Sequence, residues 1–448
     1  FRAYDIRGIA YEELSQETVV LIGKSLGTKS LESGNDSLVV GRDGRNSSPD
    51  LFDWIAAGIK STGCNVINIG IVSTPILYFA THSLSCPNGV MITGSNNPGN
   101  YNVFKVVENK KTISGKAIQE IRDNIFKKEF LKGEGSEKAL DVKDQYLNLI
   151  VNNIELKRPL KIAIDCGNGA ASIIAKQVYE GLGCEVHSLF AEVDGNFPNH
   201  HPDPSKPENL EDLKNLVEKK ELEIGLAFDG DADRLGVVSK EGKIIFPDMQ
   251  MILFSNSILK QHKEGKIVFD VKCSKLLSDA ILNEGGTPIM AKTGHSYIKK
   301  CIREEKALLG GEMSGHIFFN DRWPGFDDGI YAGARILEII SNLNENEDVF
   351  KGLPKLVSTP EINIESTDDE KFKIVEDFIS KANYKDSKSV LIDGVRIEFD
   401  FGWGLLRASN TSPVLVLRFE ADTQENLESI KNTFRRTLND INPNLGSF

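Results

Sequence analysis

At 448 residues the chain is too long for one hydrophobic core, and 40% hydrophobic with 26% charged residues is ordinary for a globular protein. The formal net charge of −12 argues against nucleic acid or an anionic membrane as the main partner, while a local basic cluster can still hold an anionic small molecule. The six cysteines, at positions 64, 86, 166, 184, 273 and 301, form no C-x-x-C pair, and no uncharged apolar run is long enough to span a bilayer. A reducing, cytoplasmic setting without a membrane segment is therefore expected.

The chain opens on Phe1-Arg-Ala-Tyr-Asp-Ile-Arg-Gly8, without a methionine, so a few residues are expected ahead of it. Leu38-Val-Val-Gly-Arg-Asp43 then reads as a strand, followed by a helix, Gly63 and a second strand over 65–69. Next comes Gly89-Val-Met-Ile-Thr-Gly-Ser-Asn-Asn-Pro-Gly-Asn-Tyr-Asn-Val-Phe-Lys105, an apolar strand over 90–92 that empties into a Gly, Ser, Asn and Pro loop. Ligands in α/β sheets sit beyond the carboxyl ends of strands, which puts Ser95 where chemistry is usually done.

The opening pattern recurs. Lys161-Ile-Ala-Ile-Asp-Cys-Gly-Asn-Gly169 begins a strand, a helix to 182, Gly183 and a strand over 184–190. Lys266-Ile-Val-Phe-Asp-Val-Lys272 begins a third copy, with Gly285-Gly286 and a strand over 287–291. Three βαβ copies predict three related α/β domains. The tail is different: strands over 361–365, 389–392, 395–399 and 414–420, with helices over 370–382 and 424–439, predict a smaller α+β domain. The expected domains are 1–140, 141–243, 244–357 and 358–448, arranged around a central cleft.

Three further stretches carry chemistry. In Glu223-Ile-Gly-Leu-Ala-Phe-Asp-Gly-Asp-Ala-Asp-Arg-Leu-Gly-Val-Val238, two strands flank Asp229, Asp231 and Asp233, whose alternation on an extended loop aims three carboxylates one way. Such a cluster is costly without a hard cation, and Mg²⁺ is favoured over an EF-hand Ca²⁺ because Arg234 and Lys240 occupy the positions of the loop glycine and glutamate. Gly310-Gly-Glu-Met-Ser-Gly-His-Ile-Phe-Phe319 places Glu312 and Ser314 on a loop suited to hydroxyl recognition. Arg407-Ala-Ser-Asn-Thr-Ser-Pro413 supplies an arginine, hydroxyls and free N–H groups for a phosphate. The pair His200-His201, in a loop over 194–209, is expected to point to opposite sides rather than share an ion, with the loop touching substrate.

Taken in order, the opening Phe-Arg-Ala-Tyr-Asp-Ile-Arg-Gly, the serine loop, Asp-Gly-Asp-Ala-Asp-Arg, Gly-Glu-Met-Ser-Gly-His and Arg-Ala-Ser-Asn-Thr-Ser-Pro resemble the α-D-phosphohexomutases, most closely the bacterial phosphomannomutase/phosphoglucomutase group. The resemblance spans essentially the whole chain. It implies a cytoplasmic, monomeric enzyme that interconverts the 1- and 6-phosphates of mannose or glucose through a phosphoserine and a bisphosphorylated sugar. It implies Ser95 as phosphoryl carrier, with Ser95, Asp229, Asp231 and Asp233 around Mg²⁺, and a sugar 1,6-bisphosphate as activator. Arg7, Asn96, Lys105 and His295 fall at catalytic positions. Tyr4, Arg234, Lys272, His295, Glu312, Ser314 and His316 fall at substrate-binding ones, and Arg407, Ser409, Asn410 and Thr411 at the clamp for the phosphate that is not reacting.

The sequence departs from the family pattern twice: Asn96 stands where a histidine is usual, and Val103 where a glycine is usual. Asn96 keeps open a catalytically weak relative that binds sugar phosphates. A phosphoglucosamine mutase is the rival among enzymes. A haloacid-dehalogenase-type phosphatase fits poorly, because it leaves Ser95 and the clamp without a role.

Overall fold

The computed structural model describes residues 1–448 except 3, 345, 346, 411, 446 and 447. Its first three units repeat one sheet. In the first, Ser37–Arg42 pairs in parallel with Asn65–Ile71 on one side and Gly89–Thr93 on the other, and Tyr101–Glu108 returns antiparallel to Gly89–Thr93. In the second, Lys161–Asp165 lies between Glu185–Leu189 and Ile224–Phe228, with Leu235–Ser239 antiparallel. In the third, Lys266–Asp270 lies between Thr287–Ala291 and Leu309–Gly311, with Ile317–Phe319 antiparallel. The fourth unit is an antiparallel sheet in which Val395–Phe399, Gly402–Ala408 and Val414–Ala421 are successive neighbours, packed against the helices Glu370–Lys381 and Gln424–Asn439.

The central strands are buried on both faces, and their two-residue alternation divides the core. Val39, Met91, Ile162, Ile164, Leu226, Ile267 and Phe269 join one hydrophobic cluster that runs through all three α/β units. The residues between them face clusters confined to a single unit: Val40 and Val90 in the first, Ala163 and Ala227 in the second, Val268 in the third. The first three units are thus fused along a common core. The fourth packs its own core around Phe378, Leu417 and Phe434.

The tail differs from the sequence reading. The strand Gly402–Ala408 is absent from that reading because Gly-Trp-Gly breaks a strand pattern. Its glycines are needed: a Cβ on Gly404 would lie 2.6 Å from the Phe434 ring, and one on Gly402 2.3 Å from the Glu420 carbonyl oxygen. The strand expected over 389–392 is Ser387–Val390, since Gly394 at φ +69° belongs to the turn that follows.

Candidate active site

The four motif loops share one topological position. Each joins a strand to its antiparallel neighbour: Thr93 to Tyr101, Phe228 to Leu235, Gly311 to Ile317 and Ala408 to Val414. Ser95 therefore sits at the carboxyl end of a buried parallel strand, as expected, but the chain reverses there instead of entering a helix.

The serine loop is built around a buried arginine. Arg45, only 1% exposed, donates through Nη2 to the carbonyls of Ser95 and Asn97 at 3.0 and 2.6 Å, and through Nη1 to Pro98 and to Tyr101 (3.1 Å). A Cβ on Gly94 would meet that guanidinium at 1.9 Å, so only glycine admits it. Asp43 accepts from the Gly94 N–H at 2.8 Å. Ser95 is thereby held at φ +46°, a left-handed conformation uncommon outside glycine and often found at functional sites. Sequence reading missed Arg45; the available signal was Gly-Arg-Asp-Gly-Arg at a strand's carboxyl end.

The acidic loop meets this serine. Ser95 Oγ donates to Asp229 Oδ2 at 2.7 Å, and Gly230 permits the approach, because a Cβ there would lie 2.5 Å from the Ser95 carbonyl oxygen. Ligand atoms of Asp229, Asp231 and Asp233 all lie within 4.8 Å of one another. Alternation on an extended loop is not what gathers them. The loop turns, with the Ala232 N–H bonded to the Asp229 carbonyl and Ala232 at φ +59°, and Asp229 Oδ1 accepts from the N–H groups of Asp233 and Arg234.

Lys105 reaches Asp231 at 2.7 Å and also Asp233, while Thr74 donates to Asp231. Burial, then the Asp231 and Asp233 charges, push Asp229 well above the carboxylate range. Burial also acts on Asp231, but Lys105 outweighs it and holds the group at about 2. Asp231 Oδ1 and Asp233 Oδ1 are buried and accept no hydrogen bond from the described residues. Orphaned carboxylate oxygens in a tight triad fit a hard divalent cation.

Contacts lead outward from this centre through Arg234, His316, His295 and Tyr4, and the remaining predicted residues make the following contacts. Arg234 Nε lies 3.7 Å from Asp229 and donates to His316 Nε2 at 3.1 Å. His316 stacks on His295 at 5.7 Å, and His295 meets the edge of Tyr4 at 5.2 Å. Glu312 accepts from the Gly294 N–H, and burial raises its carboxyl. Burial, aided by Lys299, draws His295 well below its ordinary value, which leaves a neutral imidazole. Arg7 Nε binds Asp5 at 2.8 Å on the strand Ile6–Ile9. Lys272, buried, pairs with Glu361 of the fourth unit.

Arg407 lies within the strand Gly402–Ala408 rather than in the loop beyond it, with Nε 2.8 Å from Asp393. The Ser409 hydroxyl accepts from the Ser412 N–H at 3.1 Å. Ser314 and Asn410 are half-buried on their loops, and Thr411 lies outside the described residues. Asn96 donates to Asp203 at 3.3 Å, and its carbonyl accepts from His201 at 2.7 Å. His200 turns the other way, to Asp165 at 2.9 Å. That loop packs on the serine loop. Sequence reading also missed Asp203, Thr74 and Asp327, whose carboxylate contacts Lys299 at 2.8 Å and His316 at 3.1 Å.

Family models for phosphoglucomutase/phosphomannomutase match in chain order: α/β/α domain I over 1–132, domain II over 144–242, domain III over 246–356 and the C-terminal domain over 361–437. The chain belongs to the phosphoglucomutase/phosphomannomutase family. It is a phosphohexomutase, an intramolecular phosphotransferase of the isomerase class.

This phosphohexomutase is 49% identical over 446 residues to a phosphomannomutase/phosphoglucomutase of Pseudomonas aeruginosa, covering 99% of this chain and 96% of the relative. It is 49% identical over 449 residues to a phosphoglucomutase of Neisseria meningitidis, covering 99% and 97%. Among solved structures, a family protein of Burkholderia thailandensis superposes with a TM-score of 0.94 at 44% identity, over 99% of this chain and 98% of that one. Three related α/β domains and a smaller fourth are the family's architecture. Among the described residues, no helix of this mutase is long and apolar enough to cross a membrane.

Proposed function

We propose that this phosphohexomutase interconverts the 1- and 6-phosphates of mannose or glucose, with Ser95 as the phosphoryl carrier. The 2.7 Å contact from Ser95 Oγ to the aspartate triad carries the reading. A phosphoserine at this point brings about −1.5 to −2 charges into a cleft that must also admit an anionic sugar. Asp229, Asp231 and Asp233, with Ser95, are the groups that would hold Mg²⁺, which when bound supplies charge neutralisation to the phosphoryl oxygens.

The chain's own residues do the rest by position and charge. A sugar hydroxyl attacks the Ser95 phosphorus, the P–Oγ bond breaks, and the product is a sugar 1,6-bisphosphate. We assign the hydroxyl proton to His295, neutral and with Nδ1 accepting no hydrogen bond. Arg7 and Lys105 offset the phosphate charge, and Asn96 offers its amide. Glu312 and Ser314 take sugar hydroxyls, with Tyr4, Arg234, Lys272 and His316 lining the substrate. Arg407, Ser409, Asn410 and Thr411 clamp the other phosphate. After the bisphosphate reorients, Ser95 Oγ attacks that phosphorus, the bond from phosphorus to the sugar oxygen breaks, and the proton held by His295 passes to that oxygen. A free sugar 1,6-bisphosphate serves as activator by charging an unphosphorylated Ser95.

In this reading the units 1–140, 141–243, 244–357 and 358–448 each contribute one loop, and the enzyme works as a cytoplasmic monomer without a nucleic-acid or membrane partner. The acidic balance of −12 supports that choice of partners. A coupled assay with mannose, glucose and glucosamine phosphates, primed by a sugar bisphosphate, tests the reading. Turnover of mannose or glucose 1-phosphate above that of glucosamine phosphate is expected. Binding without turnover makes the protein a sugar-phosphate sensor instead.

A further inference from the structure

The segment 271–275 links the strand Lys266–Asp270 to the helix Lys275–Asn283 and carries Lys272. Its three successive carbonyls find partners outside their own unit. Those of Val271 and Cys273 accept from a single atom, Nη1 of Arg396, at 2.8 and 2.7 Å, and that of Lys272 accepts from Nη1 of Arg418. The next two N–H groups are held as well, Ser274 by Asp248 at 3.1 Å and Lys275 by Glu420 at 3.0 Å.

Both arginines are fixed from behind. Arg396 lies over the Trp403 ring at 3.8 Å, and Trp403 Nε1 donates to the same Glu420 oxygen at 2.8 Å. Arg418 also donates to Asp248 at 3.3 Å. Arg396, Trp403, Arg418 and Glu420 are 2%, 1%, 4% and 3% exposed. All four belong to the fourth unit, as does Glu361, the partner of the Lys272 ammonium. Buried guanidinium groups are costly unless fully bonded, and here much of the bonding is to the main chain around one lysine.

We propose that Arg396 and Arg418 are positioning residues for Lys272, so that a cleft cation of the third unit is placed by the docking of the fourth. The inference rests on the reading of Lys272 as a substrate-binding group; the arginines act through it.

The test is a kinetic cycle on the full chain with glucose 1-phosphate, using wild type, Arg396→Met, Lys272→Ala and the double variant. Arg396→Met leaves two buried carbonyls without their donor. It is expected to raise KM about 10-fold, the scale of an unmade buried hydrogen bond, with a smaller change in kcat. Arg396→Lys should recover part of the loss, since an ammonium replaces the charge but not the planar fork. The double variant should be no worse than Lys272→Ala alone.

A full additive loss in the double variant would show damage independent of Lys272 and overturn the proposal. So would an unchanged KM in folded Arg396→Met, or in Lys272→Ala. Thermal midpoints identify variants that do not fold, and Arg418→Gln runs the same cycle if Arg396→Met is one of them. Absence of turnover in the wild type overturns the functional reading instead, and the cycle then runs on calorimetric Kd values for glucose 1-phosphate.

Discussion

Ser95 donates its hydroxyl to Asp229 at 2.7 Å across 134 positions of the chain. The two residues occupy equivalent loops of consecutive repeats, each leaving a buried strand for its antiparallel neighbour. Arg45 on one side and Gly230 on the other let the loops touch. The central chemical relationship of the site is therefore a product of the repeat.

Incubation with glucose 1,6-bisphosphate should add one phosphate to the protein by intact mass, and Ser95→Ala should abolish it. A phosphate mapped to another residue would sink the assignment of Ser95 as carrier.

Asp231→Asn should cut kcat/KM by about 100-fold or more, the scale of losing a preorganised charge-stabilising group, and should weaken the Mg²⁺ dependence together with it. Treatment of the wild type with EDTA checks the premise. An unaffected rate there would mean that the orphaned oxygens of Asp231 and Asp233 hold no metal needed for turnover.

Arg407→Ala removes the partner of Asp393 and the charged fork of the proposed phosphate clamp. KM for the sugar phosphate should rise about 10-fold, and inhibition by inorganic phosphate should weaken, as expected for a lost charge-assisted hydrogen bond. Unchanged values in both measurements would place the phosphate clamp elsewhere.

Both ring nitrogens of His200 face acceptors, Nε2 the Asp165 carboxylate and Nδ1 the His201 carbonyl, each at 2.9 Å. Burial disfavours the charged ring, but the Asp165 hydrogen bond and charge outweigh it and raise its value above 6.5. A raised folded value contributes stability that is fully present below 6.5 and lost as pH rises through the folded value. The thermal midpoint of wild type over His200→Gln should therefore shrink from pH 6 to pH 9, read by calorimetry. A constant gap would mean that folding does not shift the titration of the ring, and a gap that grows with pH would mean that the ring is neutral in the folded protein.

Asn96 is one of the two positions, with Val103, at which the sequence differs from the pattern the resemblance implies. Its amide donates to Asp203, which Arg234 and Ser205 hold low against the effect of burial. A histidine placed there would face a carboxylate and carry a proton near neutral pH, which an amide cannot. Asn96→His should raise kcat roughly 10-fold with little change in KM. An equal or lower kcat would show that proton transfer runs through another group, with His295 the first to test.

The sequence by itself showed the repeated strand pattern and the motifs that carry the family resemblance. Strand, helix, glycine and strand recur because each unit must bury a strand on both faces and turn back on it. Asp229, Asp231 and Asp233 stood out because three clustered carboxylates are costly without a cation, and Ser95 only through the ordered set of motifs and the resemblance they carry. Tertiary structure decided what those residues do to one another. The triad converges through a tight turn rather than an extended loop, Arg45 reaches the serine loop from an earlier strand end, and Arg407 is a strand residue because Gly402 and Gly404 let its strand pack. The grip of Arg396 and Arg418 on segment 271–275 is likewise invisible in the chain, since 123 residues separate Arg396 from Cys273. Local propensity and periodicity act over a few residues. Contacts between loops of different units are set by how the sheets stack, and no short-range pattern records that.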